Sequence, residues 1–152
     1  MKSGFLKSFL KILAYLCIGV VLYLSAFLLK SDFLNSFINE NLITILLALM
    51  AINATTISVI VSKLHDITQK QEVNLDLSIQ SMKNSIVEQV IILLISTFLL
   101  ILRTSLIIKD MWQYAVPIIS ILLISLFTYA IHILYDTVNS VFVILKHENK
   151  LT

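Results

Sequence analysis

Apolar positions in this chain gather into four long runs: Ile12 to Leu29, Asn41 to Ser62, Gln89 to Ile108 with Arg103 as its interruption, and Met111 to Tyr135. A helix needs roughly 20 mostly apolar residues to cross about 30 Å of hydrocarbon, and each run has that length. Lipid offers the backbone no hydrogen-bond partners, so a spanning segment must satisfy its own amides as a helix. The pattern predicts an all-α bundle of four transmembrane helices over 9–29, 42–62, 86–108 and 114–135, in a single membrane domain covering residues 1–152.

Two of these helices are expected to continue past the bilayer. After Ser62, Leu64 and Ile67 keep to one face while Asp66 and Lys70 form an i, i+4 pair. In the last helix Leu134, Val138, Val141, Phe142 and Leu145 recur at i, i+4, i+7, i+8 and i+11. From Tyr114 to Lys146 this is one helix of about 33 residues, roughly 50 Å long and longer than any bilayer core. An apolar stripe is unfavourable in water, so Leu64, Ile67, Val138, Val141, Phe142 and Leu145 become candidates for docking the second helix's stem, a neighbouring subunit or a soluble partner. These extensions cover 63–84 and 136–152.

The breaks between runs carry smaller signals. Lys30 to Asn41 places Phe33, Leu34, Phe37 and Ile38 on one side, as in a short surface helix or an extension of the second span. Val73 to Gln80 alternates apolar and polar, the period of a strand that could pair with another chain, although a loop or short surface helix fits as well. Ser85-Ile86-Val87-Glu88 reads as a capping box opening the third helix, which would explain Glu88 without a proton relay. Pro117 suits the first turn of the last helix, where its missing N–H costs nothing, and Trp112 and Tyr114 suit an interface.

Composition narrows the classes. With 59% hydrophobic and 13% charged residues and a mean hydropathy of +0.97, the chain is neither a disordered tail nor a soluble α/β enzyme. A net charge of +2, scattered along the chain, does not suit a nucleic-acid surface. Cys17 is the sole cysteine, which excludes an internal disulfide, and it reads as a small packing residue. The lysine-rich start followed by an apolar core resembles a signal sequence, and the lack of a convincing cleavage site favours a retained anchor.

Lysine placement sets the expected orientation. Lys2, Lys7, Lys11, Lys63, Lys70, Lys83, Lys146 and Lys150 fall on one side, against Lys30, Arg103 and Lys109 on the other, so both termini should face the cytoplasm. Arg103 is expected to snorkel outward or to pair with Glu40 or Asp110.

Polar residues inside the spans are the candidate functional positions. Ser125, Thr128, His132, Asp136 and Asn139 share one face of the last helix, and Asn53 and Thr56 lie mid-span on the second. Ser96 lies close to one face with Glu88 and Arg103 on the third. Three readings stand: hydrogen-bonding glue between helices; a water-filled path in an oligomer along Asn53, Thr56, Ser125, Thr128 and His132; and a proton-responsive pair at His132 and Asp136. Enzyme chemistry finds little support, since His65, His132 and His147 are far apart, Gly4 and Gly19 build no phosphate loop, and nothing calls for a metal or cofactor.

Pro117-Ile118-Ile119 at the start of the last helix, Ile131-His132 near its inner end and the stem Ser62-Lys63-Leu64 carry a resemblance. The chain resembles small four-helix inner-membrane proteins of phage-defence operons, namely the KwaA-type subunit of Kiwa and RexB-like exclusion proteins. Asp66, Glu72 and Asp76 offset the lysines of its stem, unlike a basic RexB-like one. The resemblance implies a bacterial inner-membrane homo-oligomer of antiphage defence that couples an envelope event to a soluble cytoplasmic partner or forms a regulated ion leak. An immunity protein against a pore-forming toxin would share the size and topology.

Overall fold

The computed structural model describes the backbone of residues 2–68, 76–112 and 114–148, and side chains over 10–62, 80, 82–108, 110, 112 and 114–139. It contains α1 (Lys2–Leu28), α2 (Phe33–Thr68), α3 (Asp76–Thr104), a short α4 (Leu106–Met111) and α5 (Ala115–Glu148). Four of them are long and apolar enough to cross a bilayer, over Leu10–Leu28, Phe33–Ser62, Met82–Thr104 and Ala115–Asn139. The protein is a multi-pass helical bundle whose apolar exterior suits contact with lipid.

α5 is the hub, packing against α1, α2 and α3. Adjacent buried pairs Ile119/Ser120 and Leu123/Ile124 mark a helix covered on more than one side. On α3 the buried positions Met82, Gln89, Ile92, Ser96 and Arg103 follow at +7, +3, +4 and +7, a single inward stripe. α2 presents Ile38, Leu42, Leu46, Asn53, Ile57 and Ile60 in the same manner. In lipid such faces associate through packing and hydrogen bonds rather than hydrophobic transfer. Two apolar clusters result, a large one including Leu42, Leu46, Ile92 and Leu123, and a small one of Ile57, Ile60 and Met82 backed by Ile86.

The turn from α1 to α2 is closed by the chain itself. Lys30 takes a left-handed φ of 51°, Ser31 N–H reaches the Ala26 carbonyl at 2.9 Å and Lys30 N–H reaches that of Phe27 at 3.1 Å. This is a Schellman ending, which satisfies carbonyls that α1 would otherwise leave open. α2 then starts at Phe33, nine residues before the expected 42, so the Lys30 to Asn41 stretch extends the second span.

Four expectations change. Residues 76–80 are the first turns of α3 and not a strand, because a lone strand has no ladder partner here whereas a helix satisfies its own backbone; 73–75 lie outside the described residues. Ser85 therefore sits well inside α3 and cannot cap it. Span three ends at Thr104 rather than 108, where Ser105 leaves the helix with ψ 125° and α4 begins. Cys17 is exposed on α1 and packs no interior. Both α2 and α5 do run beyond their apolar spans, α2 to Thr68 and α5 for 34 residues in all, or about 50 Å.

Candidate functional site

A polar layer separates the two apolar clusters. Asn53, fully buried on α2, donates through Nδ2 to Gln89 Oε1 at 2.9 Å and to Ser85 Oγ at 3.2 Å, both on α3. Ser85 Oγ lies 3.3 Å from Thr137 Oγ1 on α5. The Thr137 hydroxyl donates to the Ile133 carbonyl at 3.0 Å, so Ser85 is the donor to Thr137. One hydrogen-bonded chain thus ties three helices together. Asn53 Oδ1 and Gln89 Nε2, an acceptor and a donor on facing side chains, are buried without partners. Each such group costs about 1–3 kcal/mol relative to a satisfied one.

Beside this layer, with Ser85 and Thr137 on its wall, a cavity of about 400 Å³ opens between α1, α3 and α5. Glu88 and Asp136 project into it from α3 and α5, and Lys11 from α1. Glu88 Oε2 accepts a hydrogen bond from the Tyr129 hydroxyl at 3.0 Å, and Asp136 Oδ2 lies 3.1 Å from His132 Nε2, one turn away on the same helix. Tyr15 of α1 packs its ring 5.1 Å from Tyr129 and 5.5 Å from His132, centroid to centroid. The cavity sits at one end of the bundle, since Lys11 and Met82 are at the start of their spans and Asp136 is near the end of its own.

The six expected polar positions do not form one wall. Asn53 belongs to the three-helix chain, while Thr56, Ser125 and Thr128 turn their hydroxyls back to the carbonyls of Ile52, Ile121 and Ile124 at 2.8, 2.7 and 2.9 Å. Only His132 and Asp136 of the set line the cavity. The face from Ser125 to Asn139 passes from buried to exposed, and the inward polar residue at that end is Thr137. The sequence reading takes Ser85 for a cap and passes over Gln89, Thr137, Tyr15 and Tyr129. The signal was there in Ser85 and Gln89, four apart and aligned with Ser96 and Arg103. Ser96 is fully buried and its Oγ lacks a partner.

Arg103 departs from expectation most clearly. It is 5% exposed and forks onto α2, with Nη1 donating to Asn39 Oδ1 at 3.0 Å and Nη2 to Asn35 Oδ1 at 2.8 Å. Neutral amides one helical turn apart on α2 match the planar fork of a guanidinium. Arg103→Lys should lower the unfolding midpoint in detergent by the equivalent of about 1–2 kcal/mol, because an ammonium lacks the fork. An unchanged midpoint would show that one contact suffices.

Of the docking candidates, Val138 is at the margin of exposure. Leu64, Ile67, Val141, Phe142 and Leu145 lie on helical backbone, and their side chains are outside the described residues. Among the described residues, no three His, Cys, Asp or Glu side chains could hold a metal ion. No family model, no curated protein and no solved structure matches the chain.

Proposed function

We propose that the protein is a non-enzymatic membrane subunit that couples an event in the envelope to a soluble cytoplasmic partner. In this reading it works as a homo-oligomer in a bacterial inner membrane with both termini inside, and its resemblance to KwaA-type and RexB-like proteins implies antiphage defence. The observation carrying the reading is the hydrogen-bonded chain from Asn53 through Ser85 to Thr137. It clamps α3 to α2 and α5, both of which continue C-terminally beyond their apolar spans, so a shift inside the membrane moves both stems. The unmatched acceptor of Asn53 and donor of Gln89 give that clamp a second pairing to shift towards.

A leak gains less support, since Asn53 faces α3 and the hydroxyls of Thr56, Ser125 and Thr128 are bonded to their own helix. The docking reading is tested by expressing the protein with the soluble proteins encoded beside it. Val141→Asp and Phe142→Asp should remain in the membrane fraction and lose the soluble protein that the unaltered chain retains on purification. Retention by both variants would place the docking surface elsewhere.

A further inference from the structure

We propose that the cavity between α1, α3 and α5 binds a phosphoethanolamine headgroup, a primary ammonium and a phosphate two carbons apart. The inference is independent of the coupling role and rests on depth, charge pattern and donor count. Lys11, Glu88 and Asp136 on the lining stand immediately outside the apolar runs Ile12 to Leu29, Gln89 to Ile108 and Met111 to Tyr135, which is the depth at which headgroups meet hydrocarbon. At about 400 Å³ the space falls within the usual range for small-ligand sites.

Its charges are of both signs and come from different helices. Glu88 and Asp136 offer carboxylates from α3 and α5; the Tyr129 hydroxyl orients Glu88 at 3.0 Å, and Asp136 Oδ2 lies 3.1 Å from His132 Nε2 without a hydrogen bond between that pair. Lys11 of α1 and Asn84 of α3 stand on the same lining. Asn84 Oδ1 accepts from Gln80 Nε2 at 3.1 Å, which leaves the Asn84 N–H groups as donors. A primary ammonium carries three N–H donors and fits between the two carboxylates, while a phosphate suits Lys11 and the Asn84 amide. A quaternary choline has no N–H to give, and phosphatidylglycerol has no cation. A divalent metal is not matched, because no cluster of three ligating side chains exists among the described residues. Ile12, which lines the cavity and is 62% exposed, leaves an apolar exit for acyl chains.

Native mass spectrometry of the full chain, released from detergent with equimolar phosphatidylethanolamine, phosphatidylcholine and phosphatidylglycerol, tests the proposal. Phosphatidylethanolamine should be retained over phosphatidylcholine by roughly tenfold, the scale of one charge-assisted hydrogen bond. Glu88→Gln with Asp136→Asn should abolish that preference, and Lys11→Gln should weaken retention. Stepwise N-methylation of the headgroup should reduce retention by the unaltered chain, which gives a readout that needs no variant. Equal retention of the ethanolamine and choline lipids, or a preference that survives the double substitution, would overturn the proposal. Free phosphoethanolamine bound in the absence of lipid binding would keep the headgroup chemistry and assign the ligand to the aqueous phase.

Discussion

Gly19→Leu should detach α1 from the bundle and lower the unfolding midpoint in mixed detergent micelles by the equivalent of about 2–3 kcal/mol, as overpacking a filled contact does. Gly19 is the one buried position among the described side chains of α1, and that helix rests chiefly on α5. A Cβ at this site would overlap Ser125 Oγ and come within 2.8 Å of the Ile121 carbonyl oxygen. A hydroxyl can be trimmed, but a backbone oxygen cannot move without its helix. Gly19→Ala combined with Ser125→Ala should therefore recover part of the loss and never all of it. If Gly19→Leu unfolds at the original midpoint, α1 does not approach α5 through this residue.

The same contact governs the cavity. α1 brings Lys11, Ile12 and Tyr15 to its edge, and Tyr15 is held against Tyr129 and His132 only while Gly19 lets the two backbones meet. A small residue in one helix thus fixes the spacing of charged groups two to three turns away. Membrane helices that lack a hydrophobic drive towards one another depend on such close approaches.

Hydropathy made the four spans legible, because about 20 apolar residues in a row have few other solutions than a lipid-crossing helix. It failed where polar residues serve the interior. Asn35 and Asn39 fall in a stretch that reads as a short surface helix or an extension of the second span, and nothing in that reading marks them as the α2 residues that receive the Arg103 guanidinium. The search for an acidic partner overlooked neutral acceptors at i, i+4. Period-two alternation over 76–80 looked like a strand because periodicity ignores whether a ladder partner exists. Ser85 and Glu88 look like a cap because the expected helix start, 86, lies ten residues after the actual one at Asp76; in α3 the two point to different neighbours, Ser85 to Asn53 and Thr137, and Glu88 to Tyr129. Which polar residues meet across helices depends on rotation and depth, and neither is written in a hydropathy profile.

Asn53→Leu is the second large effect expected, and it separates stability from signalling. The substitution removes the 2.9 and 3.2 Å bonds and leaves the Gln89 amide, 4% exposed, without its Asn53 donor. The expected loss is about 1–3 kcal/mol by detergent unfolding, towards the lower end because the membrane-embedded reference state also finds partners. Gln89→Leu alone should cost a similar amount, for it strands the Asn53 Nδ2 donor in turn. Together, Asn53→Leu and Gln89→Leu should come close to the original stability, since replacing both partners by apolar groups is nearly neutral. That double variant keeps the bundle and the Arg103 fork but has no amide link between α2 and α3 in the polar layer. Under the coupling role it should still retain its soluble partner on purification and fail to protect cells against phage. Protection at the original level would make the polar layer a fastening of the fold alone, and the route from membrane to stem would have to run through the apolar contacts of α5 instead.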